Sequence, residues 1–586
     1  MNTSKRFGWK KVIFASAILL SGAAIAAPHM EKVPNVPPGA FNQGIDLPDQ
    51  AQAPLPSGTP LQILWTNDTH GFFLPVYHAE YSEIDSYADT AATEGKVGGY
   101  AQIAGLVKVL KQGIWEQNTL FVDAGDTFDG SPVAQMTRGD AVVPVLNAMG
   151  YDAWTPGNRD FAWTKTDFMR VTGNLNFPMV CANLKNADGT YVFPRYIVKQ
   201  IGGLKVAIIG LTSNAGAGTG TDFVVSGVGG LPAVGTAFEN DLSALAATIR
   251  ATESPDVVIA LSHMGFYIDQ KLAAHTTGID VIVGAHTHHN VYTPPVVANA
   301  DGSRNVIVLQ AGSHGKFLGQ LQLWVQDGKV TSYSNNLVRV TAQTLNDMHA
   351  TPDPAVEALA EQAYAPFASI LDEVIGQTTT VLERRGDTQS TMTNFLTDAL
   401  AERYGVDGAR FPGIRYGSSV VGSLTNPGPI TVGDVWNIVS PNFGDNKVYT
   451  FTQTGTQILG ALNNGLNTEY GTDPYQWNGG DVFRFNGRIK YSFKVTKPNN
   501  QHVFNLSATK ANGTIVPLVA NGVPVSANLG TTFTFASTLP GGTAVPGVTA
   551  VDEIVSYIKS KGTIAPTIDN RAVQIGSEPT NVTDIY

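Results

Sequence analysis

Five short stretches of this chain carry residue types that can do chemistry: Asp68-Thr69-His70, Gly125-Asp126, Gly157-Asn158, Ser262-His263 and Gly284-Ala285-His286-Thr287-His288. Together they offer carboxylates, imidazoles and an amide oxygen. Two divalent cations sharing a bridging carboxylate need such a set. Imidazole mixed with carboxylate suits Mn, Zn, Fe or Co, whereas Ca takes oxygen ligands. A dinuclear centre, with cations about 3.5–4 Å apart, makes a bound water acidic, polarises a substrate oxygen and keeps nucleophile and leaving group in line. The reaction class this points to is hydrolysis at phosphorus, or at a sulfur centre of the same tetrahedral shape.

Such donors must be held by rigid elements. Most of the stretches follow an apolar run, at residues 62–65, 119–122, 256–261 and 280–283, and each run reads as a buried strand. In a parallel α/β sheet the carboxyl ends of the strands share one edge, and ligands bind there. From residue 61 to about 340, strands alternate with helical stretches: 100–112 and 141–149 read as helices, 119–122 and 204–211 as strands. The alternation predicts an α/β sandwich of two packed sheets flanked by helices. Residues 213–230 are mostly small and Gly-rich and read as a loop. Over 352–372, Val356, Leu359, Ala360, Ala363, Phe367, Ile370 and Leu371 recur at helical spacing, as in a connector helix. A second domain follows, with a helix at 391–404, strands at 448–452, 488–495 and 531–535, and a last helix at 551–559.

The chain has 586 residues, 43% of them hydrophobic and 15% charged, which describes a globular protein of more than one domain. A net charge of −11 without a basic stripe argues against a nucleic-acid partner. A basic start (Lys5, Arg6, Lys10, Lys11), an apolar stretch over 12–25 and the small-residue site Ala24-Ile25-Ala26 predict a cleaved secretory signal and a periplasmic or secreted protein. No later run approaches the length a bilayer needs. The lone Cys181 excludes an intramolecular disulfide and reads as a small core residue. His275, His289, His314 and His349 fit no ligand position and read as loop or surface histidines. The resulting partition is a signal over 1–26, an extended lead-in over 27–58, a metal-binding domain over 59–345, a linker helix over 346–374 and a C-terminal domain over 375–586.

The order and spacing of these stretches resemble the calcineurin-like metallophosphoesterases of the 5'-nucleotidase type. That family reads strand-Asp-x-His, Gly-Asp, Gly-Asn-His-Glu, Ser-His and Gly-His-x-His in this order. The resemblance implies a four-layer α/β/β/α sandwich joined by a linker helix to an α+β domain. It implies that one metal takes Asp68, His70 and His288, that the other takes Asn158, His263 and His286, and that Asp126 bridges them. Mn is the first expectation for the metals, with Zn, Fe or Co as alternatives.

One departure bears on the substrate. The nucleotidases continue Asn-His-Glu-Phe-Asp, and that His and Asp form a dyad that stabilises the transition state. Here the chain reads Asn158-Arg159-Asp160-Phe161-Ala162. An Arg cannot donate a proton near neutral pH, though it can neutralise charge building on a tetrahedral centre. Arg159 and Asp160 are the candidates for a catalytic role, with Arg159 turned away onto a carboxylate as the alternative. The thiosulfohydrolase branch of the same superfamily, which works in sulfur oxidation and also lacks the dyad, is similar at Leu74-Pro75-Val76-Tyr77, Gly95-Lys96-Val97-Gly98-Gly99, Gly312-Ser313-His314-Gly315-Lys316 and Pro412-Gly413-Ile414-Arg415-Tyr416-Gly417. Such an enzyme releases sulfate from a thiosulfonated cysteine on a sulfur carrier protein. In both branches an Arg at the position of Arg415 grips the anion. Phe443 matches the first of two aromatics that clamp a nucleotide base, whereas the region of the second, Gly541-Gly542-Thr543-Ala544, has no aromatic. The expected substrate is therefore a small tetrahedral anion or a carrier-bound thiosulfonate, with a nucleotide, or metal binding without catalysis, as alternatives.

Overall fold

The computed structural model describes residues 31–32, 56–77, 94–213, 223–225, 236–383, 388–411, 420–421, 428–439, 446–470, 482–539 and 541–576. Arg415, Phe443 and the expected signal at 1–26 lie outside the described residues.

Among the described residues, the N-terminal half holds fourteen strands: β1 (Glu31–Lys32), β2 (Thr59–Thr66), β3 (Thr119–Asp123), β4 (Ala153–Trp154), β5 (Leu184–Asn186), β6 (Tyr196–Ile201), β7 (Leu204–Thr212), β8 (Phe223–Val225), β9 (Val257–His263), β10 (Val281–Gly284), β11 (Val296–Ala298), β12 (Asn305–Leu309), β13 (Phe317–Gln326) and β14 (Lys329–Arg339). Twelve of them form two six-stranded sheets, in the orders β1-β14-β13-β2-β3-β4 and β11-β12-β10-β9-β7-β6. In the first sheet β2, β3 and β4 run parallel; in the second β7, β9, β10 and β12 do.

Alternation along β2 shows why the layers form. Leu61, Ile63 and Trp65 enter the core between the sheets, against Val206, Ile259, Val281 and Leu323. Leu64 belongs to the opposite core, where Tyr100, Ile103, Leu106 and Val107 of the helix Tyr100–Leu110 cover the sheet. The outer face of the second sheet packs Ala207, Ile209 and Leu211 against Leu242, Leu245 and Ile249 of the helix Thr236–Glu253. The result is the helix-sheet-sheet-helix order expected, with each buried aliphatic side chain contributing about 1.5–3 kcal/mol. Packing between β2 and β13 is close: a Cβ at Gly319 would lie 2.1 Å from the Trp65 ring.

The expected loop over 213–230 needs correction, because it contains β8, which pairs antiparallel with β5. Cys181 is fully buried and burial pushes its thiol up to about 12, in keeping with a core residue.

The helix Pro354–Leu371 is capped by Asp353, whose Oδ1 accepts from the N–H groups of Ala355 (2.9 Å) and Val356 (3.2 Å). Its Val356, Ala360 and Leu371 join the N-terminal core, and Trp436 packs against both that core and the C-terminal one. Beyond it, the helix Thr391–Tyr404 opens with a Ser390–Thr393 capping box and stops at the left-handed Gly405. Two five-stranded sheets, a three-stranded and a two-stranded sheet, and the helices Val432–Val439, Gly455–Tyr470 and Ala550–Lys561 follow in this half. Among the described residues no helix is long and apolar enough to cross a membrane.

Candidate dinuclear metal centre

Each donor stretch sits where a strand ends. Asp68 and His70 follow β2, Asp126 follows β3, Asn158 follows β4, His263 closes β9, and His286 and His288 follow β10. The two sheets share the work: the first supplies Asp68, His70, Asp126 and Asn158, the second His263, His286 and His288.

The seven converge. Asp68, His70 and His288 each place a donor atom within 4.8 Å of the other two, as do Asp126, His263 and His286. Asp126 Oδ2 lies 3.1 Å from His263 Nε2 and 3.9 Å from His70 Nε2, so it stands between the groups. Asn158 Oδ1 lies 2.8 Å from His286 Nδ1. Asp68, His70, Asp126 and His263 are buried, whereas Asn158, His286 and His288 are half-buried and mark the open side. Asp126 Oδ2 and His263 Nε2 make no hydrogen bond despite their approach. Buried polar atoms rarely go unsatisfied. A cation between them answers both, so the donor set fits two divalent metals.

Holding donors this close strains the backbone. Asp68 (φ 49°), His70 (50°), Asp126 (56°), His286 (77°) and His288 (58°) all adopt left-handed conformations. Non-glycine residues seldom do so, and such strain clusters at functional sites. Hydrogen bonds lock it in: Asp68 N–H to Gly125 O and His70 N–H to Asp126 O (both 2.8 Å) join the ends of β2 and β3. Asp68 receives the His286 N–H on both carboxylate oxygens (3.1 and 2.9 Å) and Asn67 Nδ2 at 2.7 Å. Gly157 has no room for a side chain, since a Cβ would lie 2.1 Å from Asp126 Oδ1 and 2.6 Å from the His263 ring.

The imidazoles are set for metal. His70 Nδ1 lies 2.8 Å from Asp129 O and His263 Nδ1 2.8 Å from Ala124 O, so each donates there and turns Nε2 inward. Burial pushes His70 and His286 down to about 4, which keeps them neutral. Burial acts on His263 in the same sense, but Asp126 and Asp68 outweigh it and hold the ring up at about 10. A proton there occupies the place of a cation.

Arg159 and Asp160, the two catalytic candidates, stand beside the donors. The Arg159 guanidinium lies 2.6 Å from Asp129 Oδ2, with both side chains almost wholly buried, while its backbone N–H donates to Asp126 Oδ1 at 2.6 Å. Of the two orientations open to Arg159 in the sequence, this is the one turned onto a carboxylate. Asp160 accepts four backbone N–H groups, from Asp126, Thr127, Phe128 and Gly157, and so shapes the loop carrying Asp126.

Two of the histidines read as ordinary are not on the surface. His289 is buried on Phe266, with its Nδ1 2.8 Å from Thr287 Oγ1. His314 is buried with its ring 5.4 Å from that of His70 and 5.7 Å from that of His288, and its N–H donates to Asp68 O. Asn67, which braces Asp68, also escaped the sequence reading. Its only sequence signal is its place beside Asp68, and that of His314 is the Gly-Ser-His-Gly stretch.

Fold and centre together define a class, that of the metal-dependent hydrolases. Residues 61–290 match the calcineurin-like phosphoesterase family and residues 374–528 the C-terminal domain of 5'-nucleotidase, and the chain belongs to the 5'-nucleotidase-type metallophosphoesterases. It is similar to the trifunctional nucleotide phosphoesterase YfkN of Bacillus subtilis (strain 168), 29% identical over 68% of this chain and 28% of YfkN. It is also similar to the 5'-nucleotidase of Mus musculus, 30% identical over 49% of this chain and 50% of that protein. The chain thus spans half or less of the length of these relatives. Among solved structures, the sulfate thiohydrolase SoxB of Thermus thermophilus shares the fold with a TM-score of 0.74, at 20% identity over 90% of this chain and 98% of that one. A 5'-nucleotidase precursor, also of Thermus thermophilus, shares it with a TM-score of 0.70, at 24% identity over 89% and 100%.

Proposed function

We propose that the protein is an exported hydrolase of tetrahedral anionic esters that uses two divalent metals, Mn first among them, and that its substrate is a thiosulfonate carried on a cysteine of a sulfur carrier protein. The pairing of Arg159 with Asp129 carries this reading. At the position of the nucleotidase dyad the chain has a guanidinium engaged by a buried carboxylate. A thiosulfonate asks less of that position. Water attacks the terminal sulfur, its bond to the adjacent sulfur breaks, sulfate and two protons are released, and the electron pair leaves on the cysteine persulfide. A cysteine thiol has a pKa of about 8.5 and a persulfide is more acidic still, so the anion leaves near neutral pH without a proton donor. A nucleoside 5'-alkoxide is a far poorer leaving group. The metals would be held by the seven donors and would supply an activated water and a polarised substrate oxygen. Arg415 is proposed to grip the sulfonate, and Phe443 to line the approach.

A nucleotide phosphohydrolase is the second reading, favoured by the nucleotide phosphoesterases among the sequence relatives. The deciding experiment offers the purified, Mn-loaded protein AMP in one reaction and the thiosulfonated carrier in another. Sulfate release from the carrier without phosphate from AMP supports the thiosulfohydrolase. Phosphate release from AMP alone replaces it with a nucleotidase. Arg415→Ala is expected to raise KM with metal content intact, and an unchanged KM removes Arg415 from the anion site.

A further inference from the structure

A cleft of about 470 Å³ opens where the two halves of the chain meet the end of the linker helix. That volume falls in the range of small-molecule sites, which favour domain interfaces. One wall is the segment that follows His70, including Phe72, Leu74 and Tyr77. The linker helix contributes Tyr364, with Asp372 just past its end, and the helix Val432–Val439 contributes Asp434. None of these residues is among the metal donors. The cleft takes in residues 74–77 and Lys96, from two stretches whose similarity to the thiosulfohydrolases the hydrolytic site leaves unexplained.

The charges lining the cleft are two carboxylates, Asp372 and Asp434, against one ammonium, Lys96. Asp434 Oδ2 accepts from both Thr431 N–H and Thr431 Oγ1 at 2.8 Å. Burial nevertheless holds its carboxyl above the usual range, with Thr431 and Lys96 pulling the other way. The rest of the lining is largely apolar, with Phe72, Leu74 and Leu371 prominent.

We propose that this cleft is a second ligand site, distinct from the metal centre, which takes a small amphipathic cation: an apolar or aromatic body against Phe72 and Leu74 and a protonated amine between Asp372 and Asp434. Its occupant touches both halves of the chain and the linker, so it ties them into one arrangement. It also reaches the back of the metal centre, because the Phe72 ring lies edge-on 4.9 Å from that of His314, which packs on His70 and His288.

The test uses the full-length Mn-loaded protein and three probes of one shape: phenethylamine, 2-phenylethanol and phenylacetate. Calorimetric titration is expected to show phenethylamine binding about tenfold or more tighter than the alcohol, with the carboxylate weakest. Asp434→Asn is expected to reduce the amine-over-alcohol preference to about threefold or less, and Leu74→Trp to abolish binding of all three by filling the cleft. Absence of amine binding to the wild-type protein, equal affinity for the three probes, or a preference that survives Asp434→Asn would each overturn the assignment. The comparison of probes on the wild-type protein decides the matter even if a variant fails to fold.

Discussion

The Arg159 guanidinium stands 2.6 Å from Asp129 Oδ2, and this buried pair couples the two halves of the metal centre. On one side the Arg159 N–H holds Asp126; on the other the Asp129 carbonyl holds His70. Breaking a buried pair from one side leaves a charge without compensation, at a cost of about 3–5 kcal/mol. Arg159→Met is therefore expected to lose stability on that order in the metal-free protein, as read by urea unfolding. The loss depends on pH. Burial pushes Asp129 up to about 6 even with Arg159 beside it. An acid whose folded pKa is raised binds protons more readily when folded, so stability is gained as pH falls. Without Arg159 the carboxyl rises further, so the cost of the substitution is greatest well above pH 6, shrinks as pH falls toward 6 and levels off below it, and a pH-independent difference would contradict the pairing.

Gly157→Ala tests the packing around the bridging carboxylate. The added methyl would lie 2.1 Å from Asp126 Oδ1, so either Asp126 or the loop must move. Metal affinity measured by competition with a chelator is expected to fall about tenfold or more. Unchanged affinity would show that the loop absorbs a methyl without displacing the donor.

Removing the metals with a chelator is expected to abolish hydrolysis and lower Tm, with both restored by Mn. A ligand present at a thousand times its Kd adds about 4 kcal/mol to stability. Asp126→Ala removes the donor nearest both groups and is expected to lose metal and activity together. Retained metal with retained turnover would dismiss the bridging role.

The C-terminal half offers a test away from the metals. Asp407 accepts from Thr534 N–H (2.8 Å) and Ala511 N–H (2.7 Å). Burial raises its carboxyl, but these bonds outweigh it and hold the group below the usual range. Hydrogen bonds to charged groups contribute about 1.5–3 kcal/mol. Asp407→Ala is thus expected to destabilise by about 2–3 kcal/mol near pH 7. Because the folded pKa is depressed, that contribution is present above about pH 4 and fades as pH falls below it. A thermal-denaturation series from pH 7 to pH 3 reads the convergence.

Much of the centre was legible because its donors stand at the ends of short apolar runs, where the physics of a strand end is written locally. The linker helix was legible for a similar reason: its seven apolar positions repeat at helical spacing and Asp353 caps it. What stayed hidden depends on distant parts of the chain. Asn67 is fixed by Ala311, 244 residues away, and His314 reaches Asp68 only once β13 has paired with β2. The direction of Arg159 was set by Asp129, a residue that matches no donor position. Strand β8 escaped because its Gly-rich flanks read as loop, and its pairing with β5 decides its structure. The division of the ligands between two sheets is likewise a matter of topology, which strand patterns do not encode.

That division has a consequence for how the molecule forms. The first sheet begins with β1 and β2 yet takes in β13 and β14 only after every strand of the second has been made. The two sheets are interleaved in chain order, and their contacts close loops of more than two hundred residues, which slows folding. The three histidines from the second sheet meet the four donors of the first only when both sheets have closed. A chain caught with one sheet formed holds half a centre and binds metal weakly. Metal capture is then a late event, and the time course of Mn uptake during refolding follows the completion of the whole N-terminal half.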